Sequence, residues 1–385
     1  LKQLVLEAAE SQQAEGTEAR KIGDFYLAGM DSLALNQAGI SPLAQDLAKI
    51  PSLTTPALLA AYCANLNQRG IYPFFYPFVM ADKKQSDKMI LNLYQGGLGL
   101  PEVEYYNTTD PQMVSIHDQY KKYVSSILGY AGEEADQANQ LAEEIFKLES
   151  RLAATSMTLL ERRDPVATYN KMTVEKLSEL APSFDWKTYF QENGLQAMNE
   201  LNVFQPQFFA GFSKLLDEVP ASTWLAFLKY CIVRERSEYL HDPLYTETHK
   251  FYNEFLSCQK EMKPRWKRVL STTSGALGEA IGKVYVAKYF PPEAKERITL
   301  LVQNLKSSLQ ERIQNLSWMG DSTRLRALEK LQAMEVKVGY PDKWKDYSSL
   351  KIDSKSYIQN VWNANRYEFM RDMAKVDQPV DRGEW

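Results

Sequence analysis

Three histidines, His117, His241 and His249, and three cysteines, Cys63, Cys231 and Cys258, are the side chains of this 385-residue chain best suited to hold a metal or move protons. Hydrolysis by a helix-borne zinc site requires two histidines four apart on one helix, with a glutamate as general base. His241 and His249 are eight positions apart. That is about 12 Å along a helix, whereas each ligand atom of a zinc ion lies about 2 Å from it. Pro243 also argues against a continuous helix between them. Cys231, His241, His249 and Cys258 contain the right atoms for a structural zinc, but no close C-x-x-C or H-x-x-x-H pair. Their spacing favours buried cysteine and surface histidine instead. His117-Asp118 and His241-Asp242 set imidazole beside carboxylate in sequence. Adjacency does not aim one at the other, so structural or surface roles are expected. No G-x-S-x-G nucleophile turn is present. The residues by themselves therefore assign this chain no catalytic group and no metal ligand.

Other clusters have plainer readings. Gly96-Gly97-Leu98-Gly99-Leu100-Pro101 is glycine-rich, but no Lys-Ser/Thr pair follows it and Pro101 lacks an amide donor, so a tight turn fits better than a phosphate cradle. Lys260, Lys263, Arg265, Lys267 and Arg268 surround Trp266, a mixture that can hold single-stranded nucleic acid. A formal net charge of -4 over the whole chain favours a solvated helix face lying over the core, and no nucleic-acid partner is expected. Glu133-Glu134 and Glu143-Glu144 are read as solvated too. Three scattered cysteines allow at most one bridge, too little for a disulfide framework. Asn107-Thr108-Thr109 and Asn315-Leu316-Ser317 match the N-glycosylation tripeptide.

The elements that would position these groups are mostly helical. Leu1, Leu4, Val5 and Ala8 form one helical face. Leu141, Ile145, Leu148 and Leu152 form another, and Trp224 to Val233 has the density of a buried helix. A longer stripe runs through Ile298, Leu301, Leu305, Leu309, Ile313 and Leu316, with charged and amide residues opposite. Asp321 is the expected N-cap of a further helix carrying Leu325, Leu328 and Leu331, which Gly339 and Pro341 end. Gly275, Gly278 and Gly282, with Ala276 and Ala280, lie in a helical pattern. Each glycine costs a helix about 1 kcal/mol, a cost that close approach of a neighbouring helix would explain. Residues 72–81 and 90–94 are rich in Phe, Tyr and Val about a polar turn, and predict a β-hairpin. Residues 341–356 are polar and loop-like, as in a linker. With 44% hydrophobic and 24% charged residues, the composition is that of a globular protein with a sizeable core. No apolar run is long enough to cross a membrane. The chain opens inside a helical pattern without a signal peptide and stops at an indole, Trp385, which predicts a piece of a longer protein.

Several segments resemble signatures of the neprilysin and endothelin-converting-enzyme family of zinc endopeptidases. Gly97-Leu98-Gly99-Leu100-Pro101 with Tyr105-Tyr106 is similar to its GLGLP-x-x-x-YY stretch. Arg163-Asp164-Pro165 with Tyr169-Asn170-Lys171-Met172-Thr173 is similar to its RD-P…YN-K-MT segment. Residues 280–286, Leu316-Ser317-Trp318-Met319, Val338-Gly339-Tyr340-Pro341-Asp342, and Pro379-Val380-Asp381-Arg382 with Trp385 follow in the family's order. The resemblance implies a mainly α fold, a large helical cap lobe with one small β-hairpin. Residues 1–340 would form this cap, and residues 341–385 a linker and boundary segment leading to a zinc catalytic domain absent from this chain. The intact parent would bind zinc and hydrolyse oligopeptides, with zinc polarising a water-attacked carbonyl. The family's zinc motif and peptide-binding segment fall beyond Trp385 and its carboxylate-binding arginine before Leu1. No substrate-binding residue is therefore carried onto this chain, which is expected to be inactive alone. The alternative is a non-catalytic peptide-binding or scaffold module. Few cysteines imply a bacterial homologue, exported to the periplasm or membrane-anchored through a preceding segment.

Overall fold

The structure is a computed structural model that describes every residue except 12, 107 and 109, and of residue 112 the backbone alone. Asn107 and Thr109 of the first glycosylation tripeptide thus lie outside the described residues. Helices dominate, and their apolar stripes explain their placement. Leu4, Val5 and Ala8 are the buried face of Lys2–Glu10. Leu141, Ile145, Leu148 and Leu152 are buried in Ala135–Ala153, and ten residues of Ala221–Arg236 are buried. Side chains cap several helix starts: Thr17 accepts from the Arg20 amide, Asp31 from Ala34 and Thr55 from Leu58, each satisfying an otherwise orphaned N–H.

The hairpin forms from β1 (Phe75–Ala81) and β2 (Met89–Gln95), paired antiparallel from Phe75↔Gln95 to Ala81↔Met89. Two short strands that periodicity does not reveal extend it, β3 (Lys171–Thr173) and β4 (Glu200–Val203), in the order β1-β2-β4-β3. β4 lies parallel to β2 and antiparallel to β3. Pro77 sits in β1, at the edge of the sheet, where a missing N–H is tolerated. Across β2 and β4 the buried Asn92 and Asn202 side chains bond amide to carbonyl at 3.0 Å.

Two apolar cores result. The larger gathers Phe74, Phe75, Phe184, Trp186, Phe209, Phe212, Trp224 and Phe227 between the sheet and the helices Pro56–Gln68, Ala135–Ala153, Pro206–Glu218 and Ala221–Arg236. The smaller joins Lys2–Glu10 and Glu18–Met30 to Arg265–Ala276 and Gly278–Tyr289. The helix Tyr357–Met373 serves both. Ile358, Trp362, Phe369 and Met373 enter the larger core, while Tyr357, Val361 and Ala364 enter the smaller. The loop before it has no helix or strand, yet Tyr347 and Leu350 are buried in the smaller core. Beyond it, the Met89 amide bonds the Gln378 carbonyl at 2.9 Å and the Val380 amide bonds Asp87, so the chain end is stitched to the hairpin turn.

Three helical expectations need correction. Gly275 and Gly278 have no neighbour within 4 Å of where a Cβ would stand, and Gly282 meets only Trp344 at 3.5 Å. The pattern breaks at Leu277 into two helices. The close approach is elsewhere: a Cβ on Gly23 would stand 2.6 Å from the Ala8 carbonyl, where the first two helices touch. Asp321 is the first residue of its helix, and Gly320 occupies the N-cap. Pro243 does not interrupt Asp242–His249 but lies in its first turn, where proline removes no helical bond. The long stripe forms the helix Pro292–Gln314, which has no buried residue; Leu301 and Leu305 are 57% and 61% exposed.

Candidate functional site

The turn at residues 96–101, the end of Ala221–Arg236, the helix Asp242–His249 and the stretch 259–268 enclose a cleft of about 510 Å³. Its wall continues through Tyr252 and Asn253 of a π-helical turn, Lys250–Phe255, to Gln259, and Cys258 just before that residue is a non-glycine residue at φ 55°. Both are uncommon conformations that concentrate at functional sites.

Beneath the turn lies a buried polar floor. The Glu149 carboxyl accepts from the Tyr106 hydroxyl at 2.7 Å and from the Tyr120 hydroxyl at 2.8 Å, and Tyr120 meets the Tyr230 hydroxyl at 3.0 Å. The Tyr106 oxygen in turn accepts the Gly99 and Leu100 amides at 3.0 and 2.8 Å, and Tyr252 donates to the Gly99 carbonyl at 2.8 Å. Burial pushes the Glu149 carboxyl up to about 7, against the lowering pull of Tyr106, Arg234 and Tyr120. A Cβ on Gly99 would fall 1.8 Å from the Tyr120 oxygen, so only glycine fits. The glycine-rich stretch is thus a turn locked onto a phenol–carboxylate cluster, with its Gly99 and Leu100 amides consumed inside the protein.

The wall is built from spacing on one helix. Tyr245 and His249, one turn apart, have rings 6.1 Å apart, and the Arg268 guanidinium lies 3.7 Å over the Tyr245 ring. Arg268 Nε donates to the Lys263 carbonyl at 3.2 Å. His249 is 3% exposed, and its Nε2 has no hydrogen-bond partner among the described residues. On the facing side, Arg234 lies over the Tyr230 ring and pairs with Glu235 at 2.7 Å.

The sequence candidates scatter rather than converge. His117 contacts the Tyr105 carbonyl and packs 4.7 Å from Phe146, while Asp118 pairs with Lys121. His241 is the N-cap of its helix against Tyr130, and Asp242 instead binds Asn36 and Arg265. Cys63 and Cys231 are buried, Cys258 is exposed, and all three are free. His249 departs from the surface role expected of it. Among the described residues no three His, Cys, Asp or Glu side chains stand close enough to hold a metal, so the donor set here does not fit zinc. The basic run is solvated only in part: Lys260, Lys263 and Lys267 are exposed, whereas Arg265, at the start of the helix, reaches the Gly29 carbonyl and Asp242, and Arg268 lines the cleft with Lys263. Nor are the paired glutamates all solvated. Glu133 pairs with Lys229, Glu143 with Lys121, and Glu144 accepts from Thr223 at 2.7 Å. Asn315 is exposed, its amide donating to the Glu311 carbonyl. Tyr245, Arg234 and Glu149 were not singled out from sequence. The available signal for Glu149 is an acid on an apolar stripe, four residues after Ile145.

The other signature segments are also structural. Asp164 accepts from the Val166 and Ala167 amides, Tyr169 bonds Asp82 at 2.9 Å, and Lys171 pairs with the same carboxylate, fixing β3 to the hairpin turn. Lys295 bonds the Tyr340 carbonyl and Asp342, and Tyr340 stacks on Trp344.

Known proteins agree on what this architecture is. The profile described as Peptidase family M13 matches residues 1–341. The chain is 27% identical over 394 residues to endothelin-converting enzyme-like 1 of Mus musculus, covering 96% of this chain and 50% of that protein. It is 35% identical to the zinc metalloprotease Zmp1 of Mycobacterium tuberculosis in its open state, with a TM-score of 0.95 over 100% of this chain and 60% of that one. Against Zmp1 in complex with an inhibitor the TM-score is 0.90 at 34% identity. The chain spans about half the length of the curated relatives it matches. Matched over 341 of its residues and folded throughout like the corresponding part of the mycobacterial protease, this chain belongs to peptidase family M13 and corresponds to the mostly helical N-terminal region of the family's neprilysin-like members.

Proposed function

We propose that this chain is the cap of a zinc metalloendopeptidase that acts on oligopeptides. The cap encloses the substrate, admits only short peptides and keeps bulk water from the reacting carbonyl. A zinc-bearing domain of the same polypeptide supplies the chemistry. The observation that carries this reading is a complementary pair. The fold is matched along its whole length by 60% of a zinc metalloprotease, and the described residues bring no three metal-ligating side chains together. The exposed leucines of Pro292–Gln314 support it further, since an amphipathic stripe of that length calls for a covering partner. Residues 1–340 form the cap and residues 341–385 lead toward the zinc domain, anchored by Tyr357–Met373.

The test is cleavage of an internally quenched peptide by the 385-residue chain and by the same chain extended through the following reading frame. Chelator-sensitive turnover is expected only from the extended protein. Turnover of that kind by the 385-residue chain alone would overturn the assignment. A second reading, a non-catalytic peptide-binding or scaffold module, draws on the cleft being complete within this chain. A frame that stops without an H-E-x-x-H motif decides for it. An extracytoplasmic location belongs to the first reading and is tested by fractionating cells that produce the full-length protein. No described helix is long and apolar enough to cross a membrane.

A further inference from the structure

We propose that the lysine-rich surface around Trp266 binds the face of an anionic phospholipid bilayer. Two helices begin there. Lys2 is the first residue of Lys2–Glu10, and Trp266 is the second of Arg265–Ala276. The Lys2 ammonium lies 4.1 Å over the Trp266 ring and that of Lys267 lies 5.5 Å from its centre, which sets the two helix starts side by side. Neither helix has an acid in its first turn, so the positive ends of two helix dipoles add to the same field. The residues just before Arg265 contribute Lys260 and Lys263. All four lysines are exposed, and none has an ion-pair partner among the described residues. The arginines of the same stretch behave differently. Arg265 pairs with Asp242, and Arg268 lies on Tyr245 with Asp242 4.0 Å away. The arginine charge is engaged within the protein, and the lysine charge is left facing outward.

Charge and apolar exposure together narrow the partner. Glu261 is the one acid among residues 259–268, and Glu7, further along the first helix, is occupied by Lys288. The surface therefore carries a positive excess on a chain whose net charge is -4, and its partner must be an anion. A single-stranded nucleic acid would stack a base on the indole, but that ring already holds two ammonium groups. A bilayer asks for something else: lysines that reach lipid phosphates, an indole at the level of the headgroups, and an apolar side chain that dips below them. Met262, 46% exposed, stands between Lys260 and Lys263 and supplies the last of these. Each lysine near an anionic bilayer strengthens binding about fivefold. Four lysines offset by Glu261 then give a preference of about a hundredfold over a neutral bilayer.

The test is flotation of the 385-residue chain with phosphatidylcholine vesicles, with and without about one-third phosphatidylglycerol. Binding is expected to the anionic vesicles, about a hundredfold weaker to the neutral ones, and to fade toward about 0.5 M salt as screening shortens the field. Lys260→Gln, Lys263→Gln and Lys267→Gln together should weaken it about a hundredfold. Lys176→Gln, Lys187→Gln and Lys214→Gln make the same change in net charge at exposed positions elsewhere and should leave it unchanged. Met262→Ser should weaken it a few-fold, by the same factor at every salt concentration where binding is measurable. Equal binding to neutral vesicles would assign the contact to the exposed leucines of Pro292–Gln314 and overturn the proposal. So would absence of binding to the anionic vesicles, or equal losses from the two sets of lysine changes. Release by about 10 mM glycerol phosphate, too dilute to screen strongly, would show a site for free phosphate instead of a surface. Tighter binding to oligothymidylate than to the anionic vesicles would give the surface to nucleic acid, and either result refutes the lipid assignment. The readout uses neither peptide nor zinc, so its failure leaves the cap assignment standing.

Discussion

Replacing Glu149 by glutamine asks whether the carboxyl beneath the glycine-rich turn is held protonated by burial. Glu149 is fully buried and bonded by two tyrosine hydroxyls, and burial lifts its carboxyl to about 7 from an ordinary 4.5. The folded state therefore holds the proton more tightly than the unfolded chain. The stability this confers is complete below the unfolded value and is lost as pH rises toward and through about 7. Integrated between pH 5 and pH 8, the loss is about 2.5 kcal/mol. Glutamine keeps the shape and one acceptor but cannot ionise, so its own cost is constant with pH. Urea unfolding followed by fluorescence, with Trp186 and Trp224 buried in the larger core, gives the stability of both proteins at each pH. The wild type minus variant difference should fall by about 2.5 kcal/mol from pH 5 to pH 8. His241, lowered by burial, acts in the opposite sense, losing stability as pH falls, but it is common to both proteins and cancels. Parallel pH profiles, differing by less than about 0.5 kcal/mol in slope across that range, would falsify the protonated-carboxyl account.

Gly99→Ala drives a methyl into the Tyr120 hydroxyl, which is buried and cannot retreat; a loss of about 2–3 kcal/mol in chemical denaturation is expected. Gly275→Ala meets nothing within 4 Å on a helix and should raise stability by about 0.5–1 kcal/mol. A measured loss there would restore the helix-packing role. Asp46→Asn breaks a two-armed pair with Arg69 at 2.8 and 2.9 Å, with both side chains largely buried. About 3–5 kcal/mol should go with it, read as a lowered urea midpoint. Removing residues 357–385 uncovers both cores at once, so loss of near-ultraviolet dichroism with retained far-ultraviolet signal is the expected outcome.

Long amphipathic helices were legible because burial repeats with the helical turn, as along Leu141, Ile145, Leu148 and Leu152. The hairpin was legible from its Phe, Tyr and Val content on either side of a polar turn, not from alternation, since burial along β2 runs unbroken from Ile90 to Leu93. β3 and β4, three and four residues long, are too short to carry a period, and pairing β2 with β4 depends on contacts a hundred positions apart. Glycine content alone misplaced the helix contact, because a glycine records tolerance of a neighbour and not its presence; Gly23 and Gly29 of Glu18–Met30 mark the close approaches, to Ala8 and to Val269. The cleft was invisible because its members come from four separate stretches. Only the Tyr245–His249 spacing is local enough to have suggested it. The zinc chemistry implied by the resemblance left no trace in local pattern, and the histidines of this chain are occupied or isolated.

The helix shared by the two cores also sets the order of events at birth. A ribosome delivers Lys2–Glu10 more than 340 residues before Tyr357–Met373, yet the later helix supplies side chains to both hydrophobic centres. Neither centre can close around its full complement until residue 373 is outside the exit tunnel. The nascent chain must wait with apolar surface in reach of chaperones and of neighbouring chains.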